Sequence, residues 1–477
     1  MTPDEFRRAG HALVEWVAAY RERLAQGELP VQSRILPGEL VARLPAVAPE
    51  QGESFEAILG DLDRLIMPGI THWQHPRFFG YFPSGGSLAS VLGDMVSTGL
   101  GVIGLNWQAS PALTELEQVM TDWLRDLLGL PPGFSGVLQD TASVASLIAL
   151  ICARERASDY SAERAGLQGE EAPLVVYVSA QAHSSIEKAA LLAGFGRQHV
   201  RAIPVDAEFS MQAAALEAAI SSDRAAGLRP CAIVATTGTT ATTAMDPIAQ
   251  LAALAQREAI WLHVDGAMGG SAMLLPECRH YWQGIEGADS IVVNPHKWMT
   301  VAFDCSLYLV RDPEHLVRVM STRPSYLQTP MDAQVRNYRD WGIPLGRRFR
   351  ALKIWLTLRE QGMEAIRARL RRDMTNARWL AAQLDATPPW RRIAPVTLQT
   401  VCVRHEPPGL DGAALDRHTR RWAQAINESG AAYLTAAVVD GRWMVRVSIG
   451  IESTEARHVE ALWQTMRAAA DASARAG

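Results

Sequence analysis

The first group in this sequence able to do covalent chemistry is a lysine set just past a short apolar run. Ser290-Ile291-Val292-Val293 reads as a buried strand, and Asn294-Pro295-His296-Lys297-Trp298 follows it directly. Charged residues seldom follow a buried strand so closely unless they pair or react. In a partly dry pocket, desolvation favours the neutral amine, the form that condenses with an aldehyde to a Schiff base. By itself, Lys297 also reads as a side chain that snorkels to the surface beside Trp298.

Upstream, Trp261-Leu262-His263-Val264-Asp265-Gly266-Ala267 is a second apolar run ending in an acid. A carboxylate at a strand's carboxyl end points into the ligand crevice of open α/β sheets. There it can keep a pyridine nitrogen protonated, as pyridoxal phosphate chemistry requires. Standing alone, Asp265 reads better as a turn or N-cap residue. Gly266 and Ala267 are small enough to let a flat ring lie close to the backbone. Gln139-Asp140-Thr141-Ala142-Ser143 precedes a helical pattern through Leu150, so its hydroxyls fall at a helix N-terminus, where free N–H groups attract a phosphate. Ordinary capping accounts for Thr141 or Ser143 just as well in isolation. His183 falls in Ala182-His183-Ser184-Ser185, a loop between the expected strand Leu174–Val178 and the expected helix Ile186–Leu192. Together the four segments supply an amine, a ring-nitrogen partner, a phosphate cradle and an imidazole able to stack on a ring.

These groups need a scaffold that brings strand ends together. Between about residues 86 and 350, short apolar runs alternate with helical patterns. The expected strands are Leu174–Val178, Ala202–Pro204, Ala232–Ala235, Ile260–Val264, Ser290–Val293 and Ser306–Val310, with helices such as Met211–Ala219 and Pro247–Glu258 between them. This alternation predicts an α/β fold with a mostly parallel sheet covered by helices. Residues 3 to about 25 predict an amphipathic helix with Phe6, Leu13, Val17, Tyr20 and Leu24 on one face. Beyond 351, a long helical stretch leads to strands at Leu398–Val403 and Trp443–Ser448, which suit a smaller α/β domain. Gly99-Leu100-Gly101-Val102-Ile103-Gly104 satisfies G-x-G-x-x-G, but the next helix begins at Ser110-Pro111, so the context for a dinucleotide is wrong.

On these residues the chain resembles a group II pyridoxal-phosphate-dependent decarboxylase of the aromatic-L-amino-acid decarboxylase type, a bacterial-like member. Met67-Pro68-Gly69-Ile70-Thr71-His72-Trp73, Tyr81-Phe82-Pro83, Ala182–Ser185, His263-Val264-Asp265, Asn294–Trp298 and Ile343–Arg350 carry the resemblance, and Trp443–Ser448 suits the family's last core strand. It covers essentially the whole chain. It implies fold type I in three parts: residues 1–85 as an N-terminal helical arm and dimerisation segment, 86–350 as the large cofactor-binding domain, and 351–477 as a small C-terminal domain. It also implies a homodimer with shared active sites and pyridoxal 5'-phosphate as cofactor.

Roles follow from the resemblance, position by position. Lys297 holds the cofactor aldehyde, Asp265 bonds the pyridine nitrogen, and His183 and Ala267 cover the two ring faces. Thr141, Ala142, Ser143, Asn294 and His296 hold the phosphate, and Thr240 lies near the cofactor. Tyr326, in the polar stretch from Ser321 to Arg339, protonates the substrate carbon after CO2 leaves; a long irregular segment of this kind suits a lid. Related aldehyde synthases replace this tyrosine by phenylalanine, or alter the stacking histidine. Trp73, Tyr81, Phe82 and Pro83 form an aromatic pocket, and Ser84 offers a hydroxyl where the family often has threonine. Ile103 and Leu105 enter from the neighbouring subunit. Leu105 replaces the phenylalanine of animal members, and Gly346 leaves room where some plant members carry serine. The implied reaction converts DOPA, 5-hydroxytryptophan, tryptophan, tyrosine or phenylalanine to the arylalkylamine and CO2. The nearest alternative is an oxygen-consuming aromatic aldehyde synthase on the same scaffold. A glutamate-type enzyme suits the aromatic pocket less well, and a silent binding homologue suits the intact Lys297, Asp265, His183 and Tyr326 less well.

Composition bounds the remaining possibilities. The 477 residues are 48% hydrophobic and 20% charged, with a net charge of -5 and a pI near 6.2. That balance points to no nucleic-acid or membrane partner. The five scattered cysteines contain no C-x-x-C pair and suit a reducing cytoplasm. His72 and His75 have no third ligand nearby, so no metal is expected. The acidic start Met1-Thr2-Pro3-Asp4-Glu5 is not a signal peptide, and no apolar run reaches membrane-spanning length.

Overall fold

The computed structural model describes residues 1–322, 325–327 and 329–475, apart from the side chain of Tyr326. The chain forms two compact units: residues 84–371 with 394–400, and residues 1–83 with 372–393 and 401–477.

The larger unit is built on a seven-stranded sheet of β1 (Ser135–Gln139), β2 (Leu174–Ser179), β3 (Val200–Ile203), β4 (Arg229–Thr236), β5 (Trp261–Asp265), β6 (Ser290–Val293) and β7 (Ser306–Val310). Their spatial order is β1-β7-β6-β5-β4-β2-β3. Strands β3, β2, β4, β5 and β6 pair in parallel, and β7 runs antiparallel to both β6 and β1. Every residue of β2, β5, β6 and β7 is buried. Helices on both faces exclude water from such a sheet, which is why its strands are continuous apolar runs. The helix Ala142–Ala157 lies on this sheet and shares its apolar core. The six strands expected in this region are present within a few residues. Strand β1 is an addition: Ser-Gly-Val-Leu-Gln is too short and mixed to announce itself, and it is held by β7, whose residues lie far along the chain.

In the smaller unit a second sheet has the order β10-β11-β9-β8, made of β8 (Trp390–Arg392), β9 (Thr400–His405), β10 (Thr435–Val439) and β11 (Arg442–Ser448). The helices Gly412–Ser429 and Ala456–Arg475 pack together, the first also against β11. The N-terminal helix spans Pro3–Gln26, opened by a reciprocal capping box between Thr2 and Glu5. Of its apolar stripe Leu24 is buried, whereas Phe6 and Leu13 remain exposed. The helical stretch Ala351–Asp385 is interrupted at Gly362, whose φ of 71° only glycine adopts freely.

No helix among the described residues is long and apolar enough to cross a membrane. All five cysteines are buried, and among the described residues no disulfide links them.

Candidate active site

Because β2, β4, β5 and β6 are parallel, their carboxyl ends share one edge of the sheet. Strand β1, antiparallel to β7, runs in the same sense as β6 and ends there too. This edge therefore gathers Thr141–Ser143 after β1, His183 after β2, Thr240 after β4, Asp265 at the end of β5, and Asn294–Lys297 after β6. Ligand crevices of open α/β sheets lie at such edges.

Asp265 is buried and accepts a hydrogen bond on Oδ1 from the Ala267 N–H at 3.0 Å. Among the described residues no donor engages its Oδ2. Its backbone is pinned on both sides, by Thr237 N–H to Asp265 O at 2.9 Å and Gly266 N–H to Val292 O at 2.9 Å. Ala267 O in turn accepts from the Asn294 N–H at 3.0 Å, which ties the β5 and β6 loops together. Lys297 follows in a turn closed by its own N–H to Asn294 O at 2.9 Å. The Asn294 side chain is fixed by the Ser306 hydroxyl, which donates to Oδ1 at 2.7 Å. His296 accepts on Nδ1 from the Cys305 N–H at 3.0 Å, and the Phe303 ring lies edge-on to it, 4.8 Å between centroids. Burial, then the Lys297 charge, pushes the His296 ring down to about 4, so it is neutral near pH 7.

His183 is the N-cap of the helix Ser184–Leu192 rather than a free loop residue. Its Nδ1 accepts from the Ser185 N–H at 3.2 Å, leaving the proton of the neutral ring on Nε2. Its pKa is lowered, first by burial and then by the Lys297 charge, with Asp265 acting in the opposite direction. Lysine, aspartate and histidine, scattered over more than a hundred residues of chain, thus share one electrostatic neighbourhood. Thr141 caps the helix Ala142–Ala157, accepting from the Val144 N–H at 3.4 Å. Its first turn holds Ala142 and Ser143, whose N–H groups point out of the helix end. Thr240 is half-buried in the loop after β4, beside the Thr239–Thr242 hydroxyl pair at 3.0 Å.

Under the site, His263 is wholly buried, with Nε2 3.1 Å from the Ser146 hydroxyl and Nδ1 2.9 Å from the Ser290 hydroxyl. Gly85, one residue after Ser84, donates its N–H to His296 O. A Cβ at Gly85 would lie 2.0 Å from Val301 O. The sequence reading assigns no role to Ser306, Gly85 or His263, although His263 stands in the His263-Val264-Asp265 segment that carries the resemblance. Ser306 too had a readable signal, as a polar residue opening an apolar strand.

Trp73, Tyr81, Phe82 and Pro83 belong to the smaller unit, where Trp73 and Tyr81 stack at 5.2 Å and 6° and the Arg446 guanidinium lies 4.8 Å over Phe82. Ile103, Leu105 and Gly346 belong to the larger one. There Gly104 N–H donates to Arg347 O at 2.9 Å, and a Cβ at Gly346 would lie 3.3 Å from Ile103 Cγ2. Ile103 and Gly346 are therefore neighbours within one chain, and both are exposed. The glycine-rich Gly99–Gly104 segment begins in the last turn of the helix Leu88–Leu100 and is preceded by no strand, so it is no dinucleotide turn. Tyr326's side chain lies outside the described residues. Among the described residues no group of three or more His, Cys, Asp or Glu side chains is placed to hold a metal ion.

With this geometry, the profile of the pyridoxal-dependent decarboxylase conserved domain matches residues 37–406. A tyrosine decarboxylase of Papaver somniferum is 39% identical, with 99% of this chain and 96% of the relative covered. A phenylacetaldehyde synthase of Arabidopsis thaliana is 38% identical, with 98% and 96% covered. The crystal structure of Catharanthus roseus tryptophan decarboxylase in complex with L-tryptophan superposes with a TM-score of 0.93 at 35% identity, covering 99% of each chain.

Proposed function

The chain belongs to the pyridoxal-dependent decarboxylase family, and from that premise we propose that it removes CO2 from an aromatic L-amino acid to leave the arylalkylamine. The observation that carries this reading is the convergence of Lys297, Asp265 and His183 at one sheet edge. These residues fit pyridoxal 5'-phosphate. Lys297 supplies an amine for its aldehyde. Asp265, buried and with Oδ2 open, supplies an acceptor for a ring N–H. The first turn of the helix Ala142–Ala157, with Thr141, Ser143, Asn294 and His296, supplies N–H and polar groups for its phosphate. When bound, the cofactor provides the electron sink that makes loss of CO2 feasible.

The chain's own residues do the rest. Asp265 holds the proton at the ring nitrogen, and the backbone bonds at Thr237, Gly266 and Ala267 keep that carboxylate aimed. His183, neutral because its pKa is lowered, covers one ring face without adding a positive charge there. Ala267 is small enough for the other. Thr240 stands by the cofactor. Tyr326 is the proposed proton donor to the carbon that has lost its carboxylate. The aromatic residues Trp73, Tyr81 and Phe82, with Pro83 and Ser84, are proposed to receive the substrate ring, and orienting its carboxylate is an entropic gain.

The three-part division at 85 and 350, a homodimer and a cytoplasmic location belong to the same proposal. The exposed Leu88, Leu92, Met95, Val96, Leu100 and Ile103 support an interface with a second copy. Since Ile103 and Gly346 adjoin in one chain, a neighbour that contributes the first contributes the second. A monomer mass by sedimentation would refute the dimer, and recovery with the membrane fraction would refute the location.

Lys297→Ala is expected to abolish amine release, and borohydride should fix the cofactor on Lys297 in the parent only. Substantial turnover by the variant would overturn the assignment. A panel of DOPA, 5-hydroxytryptophan, tryptophan, tyrosine and phenylalanine ranks the substrates. The phenylacetaldehyde synthase relative makes an aldehyde synthase the second reading. Peroxide formed in step with CO2 would favour it; amine without oxygen uptake favours decarboxylation.

A further inference from the structure

We propose that Tyr433 and Thr435, which nothing in the sequence ties to the reaction, are positioning residues that set the substrate preference by holding Tyr81. This rests on the reading of Tyr81 as a substrate-contacting residue.

Tyr81 is an unusual residue in its own right. Its φ is 48°, in the left-handed region that a tyrosine enters at a cost of about 1–3 kcal/mol. Such a conformation persists only where the surroundings over-determine it, and here those surroundings come from residues some 350 positions away. The Tyr81 N–H donates to Thr435 Oγ1 at 2.7 Å, and the Tyr81 and Tyr433 hydroxyls lie 3.3 Å apart. Backbone bonds fix the flanks: Phe79 N–H to Tyr433 O at 2.9 Å, Tyr433 N–H to Arg77 O at 3.2 Å, and Ser448 N–H to Phe79 O at 2.9 Å.

The rings are arranged with the same economy of space. Tyr433 stacks on Phe78 at 5.2 Å and 6°, Phe78 on Trp73 at 4.7 Å, and Trp73 on Tyr81 at 5.2 Å and 6°. Gly80 is what lets Tyr433 in, since a Cβ there would fall 2.4 Å from Tyr433 Cδ1. Phe78 is buried, whereas Trp73 and Tyr81 keep exposed ring surface. The cluster buries its base and presents two parallel rings, with Tyr81 held at both its backbone and its hydroxyl. Any change in Tyr433 or Thr435 therefore reaches the substrate through the tilt of Tyr81, not through the cofactor.

The test uses the cofactor-loaded full-length enzyme. Tyr433→Phe removes one oxygen and keeps the ring, and Thr435→Val removes the acceptor but keeps the shape. Each is expected to raise KM for the best aromatic amino acid about three- to tenfold, the effect of one lost hydrogen bond, with kcat within about twofold and the bound-cofactor absorbance unchanged. Thr435→Ser, which keeps Oγ, should restore the parent KM. In a cycle with Tyr81→Phe, the Tyr433→Phe effect should largely disappear. Parent-like KM values in both variants would overturn the proposal, as would additive effects in the cycle. So would a joint fall of kcat and cofactor occupancy, which signals general damage. Those results would leave the functional reading standing; an unmodified enzyme that releases CO2 from no aromatic amino acid would remove that reading itself.

Discussion

The pair Glu117–Arg347 offers the sharpest quantitative test of how the larger unit is held together. Glu117 sits on the helix Pro111–Leu127 and is fully buried; Arg347 is buried in the segment between Trp341 and the helical stretch that begins at Ala351. The guanidinium meets both carboxylate oxygens, at 2.6 Å and 3.0 Å. Glu117 Oε1 also accepts from the Leu138 N–H at 2.8 Å, and Arg347 donates to Leu138 O at 2.6 Å. Three elements are thus pinned at one point, including the strand that leads into Thr141–Ser143. Glu117→Gln keeps an acceptor for Leu138 but leaves a guanidinium buried without its counter-charge. Breaking one side of such a pair costs about 3–5 kcal/mol, because the remaining ion cannot recover its hydration. The larger unit has roughly 300 residues, and at about 2.1 cal/mol/K per residue its unfolding entropy is about 0.6 kcal/mol/K. The expected fall in Tm is therefore about 5–8 °C, read by calorimetry at fixed cofactor concentration. Replacing both partners, as in Glu117→Leu with Arg347→Met, removes both charges and should recover most of the loss. A Glu117→Gln variant melting within about 2 °C of the parent would refute the reasoning.

Gly85→Ala should cripple the enzyme through backbone alone: its Cβ would meet Val301 O at 2.0 Å and Thr300 C at 2.5 Å, so the loop carrying Lys297 must move. A displacement of about 1 Å costs on the order of a hundredfold in rate, and an alanine variant with parent-like kcat and cofactor affinity would contradict this. Acid should destabilise the fold, because burial holds His263 and His296 at about 4 in the native state while unfolding returns them toward about 6.5. The unfolded chain then binds more protons, so their contribution is complete above about pH 6.5 and is lost as pH falls toward about 4, by up to about 1.4 kcal/mol per histidine per pH unit. Urea midpoints measured from pH 7.5 to 5 should fall accordingly, with a shallower slope for His263→Asn; a midpoint rising toward acid would be incompatible with this.

The chemistry and the large sheet were legible before any fold was known, for a specific reason. Strands buried on both faces must be runs of apolar residues, so Leu174–Val178, Ser290–Val293 and Ser306–Val310 stand out, and a charged residue at the end of such a run, like Asp265 or Lys297, is conspicuous. Lysine and aspartate needed no partner to be noticed. What the tertiary structure alone decided are the relations between distant parts. It supplied β1 through its antiparallel pairing with β7, and Ser306 as the holder of Asn294. It closed Glu117 on Arg347 and set Tyr433 and Thr435 behind Tyr81. Local pattern reports whether a residue will be buried, because burial follows from side-chain chemistry and backbone period. It does not report against what, because partners hundreds of residues apart are chosen by how the layers stack.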